Sequence, residues 1–169
     1  MSAKKRPGPT SAALEHDPVT PSTGWALVGM QFGLLAGLVV LPYGGLWPRG
    51  GVALVFAVTF VGVGIFVAVV AGLRLGRTLT PLPIPKDDGA LATGGIYRFV
   101  RHPIYSGVLL AALGALVWGA SLPHVVGFVA LWGVLLTKVM SEEKMLGEKY
   151  PGYSAYAQAT GRFFPRLGR

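Results

Sequence analysis

From residue 97 to residue 105 the chain reads Tyr-Arg-Phe-Val-Arg-His-Pro-Ile-Tyr, at the point where a polar segment runs into a long apolar one. Ionisable groups at the edge of a membrane span cost free energy, so a functional role is the default explanation for them. The ring faces of Tyr97 and Tyr105 attract a cation, each contact being worth about 0.5–2 kcal/mol. Further on, Lys138 and Glu142 stand four residues apart, with Glu143 adjoining. On a helix that spacing puts Lys138 and Glu142 on one face. There they bind a carboxylate and an ammonium respectively, or pair with each other. Two adjacent acids near a helix C-terminus oppose its dipole, which favours a function for at least one of them. The set suits holding a charged small molecule beside an apolar one. The chain has no cysteine, which excludes disulfides, thiolate metal sites and a thiol nucleophile. His16, His102 and His124 have no ligand-like spacing, so the sequence points to no metal site.

Each of these residues also has a plainer role. Arg98 and Arg101 serve as charged anchors, and Tyr97 and Tyr105 as interfacial aromatics. His102 fits a helix N-cap, and Pro103 a first helical position, where its missing N–H costs nothing. Lys138 lies deep enough to snorkel.

The elements that must position these groups are membrane helices. Of 169 residues, 52% are hydrophobic and 13% charged, against about 25% charged in soluble domains. The net charge of +8 comes from basic residues that flank apolar runs instead of lining one face. This argues for membrane topology and anionic headgroups, and against nucleic acid. Apolar runs at Trp25–Leu41, Val52–Leu73, Pro103–Ala120 and Val125–Val139 predict an all-α integral membrane protein with four transmembrane helices. The last two form a hairpin with short arms. Gly29, Gly33 and Gly37 make a smooth stripe for close helix contact, within the chain or with a second copy.

Residues 1–23 read as a flexible polar tail and residues 24–169 as one membrane domain. The long connection from Gly76 to Val100 carries Pro81, Pro83 and Pro85, then a turn at Lys86-Asp87-Asp88-Gly89. From Ser141 the chain reads as a C-terminal interfacial helix broken near Pro151-Gly152, with Tyr150, Tyr153 and Tyr156 as interfacial packing. A basic segment, Arg162-Phe163-Phe164-Pro165-Arg166, follows it. Every Lys and Arg except Arg49 falls on one side of four crossings, which predicts a cytoplasmic connection and cytoplasmic termini.

The ordered set Leu79-Thr80-Pro81, Gly95-Ile96-Tyr97, Arg101-His102-Pro103-Ile104-Tyr105-Ser106-Gly107 and Glu142-Glu143-Lys144-Met145-Leu146 resembles the isoprenylcysteine carboxyl methyltransferase family. Tyr153, Tyr156 and Arg162-Phe163-Phe164-Pro165 are similar to its C-terminal signature. That family groups with the phospholipid N-methyltransferases, and the likeness covers about residues 74–167. It implies S-adenosyl-L-methionine as cofactor, bound between the connection, the hairpin base and the C-terminal segment. Carried over, Gly89, Ala90, Leu91 and Ala92 supply backbone contacts. Tyr97, His102, Pro103, Ile104 and Tyr105 form the pocket wall, and Glu142 takes the cofactor's amino group. Lys138 stands where the isoprenylcysteine enzymes carry an arginine facing the substrate carboxylate. Read from the residue itself, Arg162 either closes the site over the substrate or contacts lipid.

The expected reaction is methyl transfer to a lipophilic acceptor from the bilayer, an isoprenylcysteine-type carboxylate first, with a thiol or lipid amine left open. Such an in-line displacement chiefly needs positioning, which supplies on the order of 7–11 kcal/mol. Two alternatives remain. Membrane sterol reductases share a similar Gly-x-Tyr and Arg-His-Pro-x-Tyr arrangement with a nicotinamide cofactor, although no dinucleotide Gly-rich turn is present here. A non-catalytic adaptor or small transporter subunit would suit the glycine stripe, but transporters place their ionisable groups mid-span.

Overall fold

The computed structural model describes residues 20–76, 79–83 and 90–166. Among the described residues five α-helices follow one another: α1 (Pro21–Val40), α2 (Gly51–Leu75), α3 (Pro103–Gly119), α4 (Leu122–Lys149) and α5 (Tyr153–Ala159). A short 3-10 turn, Gly95–Arg98, precedes α3. Among the described residues the only β-type pairing is a single bridge between Val100 and Gly161. The described residues are therefore all-helical. α1, α2 and α4 are long and apolar enough to cross a membrane, and α3 is a shorter apolar helix of 17 residues.

α1 begins at Pro21, ahead of the expected Trp25. The Thr20 hydroxyl accepts from the Thr23 amide, and Pro21 opens the first turn. Both are N-terminal helix signals that the polar composition around them disguises. Residues 21–23 thus belong to the helix and not to the tail. At the other end, α4 joins the fourth apolar run and the expected interfacial helix without a break. Its 28 residues span about 42 Å at 1.5 Å each, against about 30 Å of hydrocarbon. α4 is thus longer than such a layer is thick, and Glu142 and Glu143 lie near its C-terminal end. The chain turns at Tyr150–Gly152 into α5, where the Pro-Gly pair predicted the break.

α2 packs on α3 backbone to backbone. A Cβ at Gly64 would sit 2.5 Å from both the Ala111 nitrogen and the Gly107 oxygen, and one at Gly114 would sit 2.6 Å from the Ala57 oxygen. α1 packs on α4 around Leu38, Leu131, Leu135 and Val139, with Leu109, Ala112 and Phe163 completing the core. The other side of α2, including Phe56, Ile65 and Phe66, is exposed.

The Gly29, Gly33 and Gly37 stripe does not pack against any described residue. A Cβ added at any of the three would meet nothing within 4 Å. α1 instead buries Leu27, Val28, Gln31 and Leu38, whose helical spacing turns the glycines outward. Gly64→Ile is accordingly expected to cost at least 1–3 kcal/mol of stability through overpacking. Gly29→Ile should leave the thermal midpoint of the detergent-solubilised protein within a degree or two. Equal losses from both substitutions would refute this packing.

Candidate functional site

A cavity of about 410 Å³ opens between α1, the connection before α3, the start of α3, and the ends of α4 and α5. Its size lies within the range of small-molecule sites. The N-terminus of α3 brings His102, Ile104 and Tyr105 to the wall, and the 3-10 turn brings Tyr97. α4 contributes Lys138 and Glu142 from one face. Ala90, Leu91 and Ala92 line it from the connection.

The polar contacts centre on Glu142. The Tyr105 hydroxyl donates to Glu142 Oε2 at 3.3 Å, and His102 Nδ1 lies 3.8 Å from the same oxygen. The His102 and Tyr105 rings stack at 5.8 Å and 17°. His102 occupies the N-cap position of α3 but makes no capping bond with its side chain. Its Nε2 instead meets Glu143 Oε1 at 3.2 Å. The buried Tyr97 hydroxyl donates to the Ala71 carbonyl, and Tyr156 donates to the Tyr97 carbonyl at 2.7 Å. Burial raises both phenols, Tyr156 to about 12, so both remain donors at any physiological pH.

Lys138 and Glu142 share a face without pairing. The Lys138 ammonium donates to Gln31 Oε1 at 2.7 Å and to the Pro81 carbonyl at 3.1 Å, and it stands 5.3 Å from the centre of the Tyr105 ring. The two adjacent acids divide their roles because successive helical residues point about 100° apart. Glu142 faces the cavity. Glu143 faces the C-terminal segment, where it holds Arg101 Nε at 2.9 Å and Arg162 at 2.6 Å. Arg101 also donates to the Ala157 and Thr160 carbonyls. Backbone bonds run from Arg101 to Gly161 and from His102 to Arg162, and the Ser106 hydroxyl donates to the Phe163 carbonyl at 2.6 Å. The C-terminal segment is thereby strapped to the start of α3.

The structure therefore gathers Ala90, Leu91, Ala92, Tyr97, His102, Ile104, Tyr105, Lys138 and Glu142 around one cavity. Gly89 lies outside the described residues. Pro103 is buried as the first residue of α3 and does not line the cavity, because the helix start turns its ring inward. Arg162 does not line it either, since Glu143 draws its guanidinium outward to the strap. Tyr150, Tyr153 and Tyr156, expected as interfacial packing, also line the cavity. Gln31, Pro81 and Arg101 also line the cavity, a place the sequence does not assign them. For Gln31 the available signal was an amide inside an otherwise apolar helix.

A family model described as phospholipid methyltransferase matches residues 52–152. Among curated relatives, the cobalt-zinc-cadmium resistance protein CzcN of Cupriavidus metallidurans is 34% identical over 83 residues, covering 48% of this chain and 38% of that protein. A probable protein-S-isoprenylcysteine O-methyltransferase of Oryza sativa subsp. indica is 36% identical over 75 residues, covering 43% of this chain and 39% of that one. The chain thus spans about two fifths of the length of these relatives. α1, which carries Gln31, lies outside the family match.

Proposed function

This chain belongs to the phospholipid methyltransferase family, and from that premise we propose that it transfers a methyl group from S-adenosyl-L-methionine to a lipophilic acceptor, an isoprenylcysteine-type carboxylate, at the cytoplasmic membrane face. The observation that carries this reading is the carboxylate of Glu142 held by Tyr105 beside a stacked His102 ring, inside a cavity that also contains the Lys138 ammonium. In the proposed topology α3 and α4 cross as a hairpin, α1 and α2 complete four spans, and both termini are cytoplasmic.

The donor set fits the cofactor's chemistry. It combines one carboxylate for an ammonium, aromatic faces for a sulfonium, and apolar wall for the remainder. When bound, the cofactor supplies a methyl group on an already cationic leaving group. Glu142 would bind the amino end, Tyr105 keeping its carboxylate oriented. Tyr97 and Tyr105 would offer ring faces to positive charge. Lys138 would fix an anionic acceptor one helical turn from Glu142, so that oppositely charged partners are held side by side. Phe32 and Leu35 of α1 and Val108 of α3, also on the wall, suit an apolar chain entering from the bilayer. A carboxylate nucleophile needs no general base, so positioning and water exclusion remain the protein's main tasks.

S-adenosylhomocysteine at 100 times its dissociation constant is expected to stabilise the detergent-solubilised protein by about 2.7 kcal/mol, read as a rise in thermal midpoint, while NADPH leaves the midpoint unchanged. The opposite ranking of the two ligands would replace methyl transfer by a nicotinamide-dependent reaction.

A further inference from the structure

Lys138 as a residue is only 2% exposed, yet no carboxylate bonds to its ammonium among the described residues. Burying an ammonium against neutral acceptors is costly, and an apolar residue would pack there without that cost. Its neighbour Gln31 is 8% exposed and equally part of the cavity wall. An ammonium has donors only, so the Gln31 amide must turn its oxygen to Lys138. Its NH₂ group then points away from Lys138, and no described residue accepts from it. Of the three Lys138 N–H donors, Gln31 and the Pro81 carbonyl take two.

We infer that Gln31 and Lys138 together form a two-point receptor for the carboxylate of the methyl acceptor, with Gln31 contributing the second donor that a lysine alone lacks. The inference rests on the function proposed above. A lysine is a point charge, whereas a carboxylate is planar with two acceptor oxygens, and two donors in fixed relation orient it as one cannot. The remaining N–H of Lys138 and the amide NH₂ of Gln31 provide that pair on neighbouring helices. The bond between them sets their separation. Glu142, a turn further along α4, would repel an anion moving toward the cofactor's amino end, so the two sites do not compete for one ligand.

The test uses the full chain in detergent, saturated with S-adenosylhomocysteine and titrated with N-acetyl-S-farnesylcysteine or its carboxamide. The native protein is expected to bind the acid at least tenfold more tightly than the amide. Gln31→Glu keeps the bond to Lys138 but pairs its charge. It should weaken acid binding at least tenfold, leave amide binding within twofold, and so erase the preference. Gln31→Leu should reduce the preference while keeping the S-adenosylhomocysteine stabilisation. A mere structural tie between α1 and α4 would move the thermal midpoint of these variants and leave the acid preference intact, which overturns the receptor. Equal binding of acid and amide by the native protein overturns it too. Loss of the S-adenosylhomocysteine stabilisation in the native protein would instead strike the proposed function itself.

Discussion

Glu142→Gln is expected to weaken S-adenosylhomocysteine binding about 10- to 100-fold, measured by calorimetry on the detergent-solubilised protein. The Glu142 side chain is 29% exposed, toward the cavity, and accepts one bond from Tyr105. Glutamine has nearly the same shape and keeps an oxygen for that phenol. What it loses is the charge facing the ligand's ammonium. Hydrogen bonds to charged groups contribute about 1.5–3 kcal/mol, and every 1.4 kcal/mol is tenfold in affinity. Because the internal bond survives, the thermal midpoint without ligand should scarcely move. Tyr105→Phe removes only the bond that orients the carboxylate, and its effect should be smaller, about threefold to tenfold. Unaltered affinity in Glu142→Gln would remove the carboxylate from the site and the ammonium assignment with it.

That first acid of the doublet was legible in the sequence because its partners are local in pattern. Lys138 and Glu142 share a helix face by spacing, and Tyr105 follows a proline that starts α3. The apolar runs and the break after α4 were equally plain, since hydropathy and turn residues report them directly. What the sequence hid are contacts whose partners lie far apart along the chain. Gln31 meets Lys138 across more than a hundred positions, and nothing in either neighbourhood signals the pairing. The glycines of α1 suggest a packing surface within the chain or with a second copy, yet the close approach within the chain belongs to Gly64, Gly107 and Gly114, scattered over two helices without a shared motif. Charge near the end of a signature lets Arg162 suit either closing the cavity or touching lipid. Its guanidinium has a nearer carboxylate in Glu143, and Coulomb attraction at 2.6 Å decides the matter.

Glu143 should therefore act on the folded state, where Glu142 acts on the ligand. Its carboxylate, 13% exposed, meets Arg101 at 11%, His102 at 4% and Arg162 at 42% side-chain exposure. Glu143→Ala leaves the Arg101 guanidinium nearly buried without its counter-charge, and breaking a buried pair this way costs about 3–5 kcal/mol. Arg162→Ala removes a partner that water already screens, and should cost no more than about 1 kcal/mol. The strap that Glu143 secures carries Tyr153 and Tyr156 into the cavity wall. Its release should expose the chain near Arg162 to trypsin and weaken S-adenosylhomocysteine binding as a consequence. Thermal unfolding, timed proteolysis and ligand titration on the two variants separate these effects. Glu143→Ala is expected to change all three readouts, and Arg162→Ala to leave the midpoint and the affinity close to native. If Glu143→Ala melts like the native protein, the strap is held by the backbone pairing of residues 99–102 with 161–162 and the ion network is incidental. If it melts early but binds ligand normally, the tyrosines of α5 contribute wall without contact.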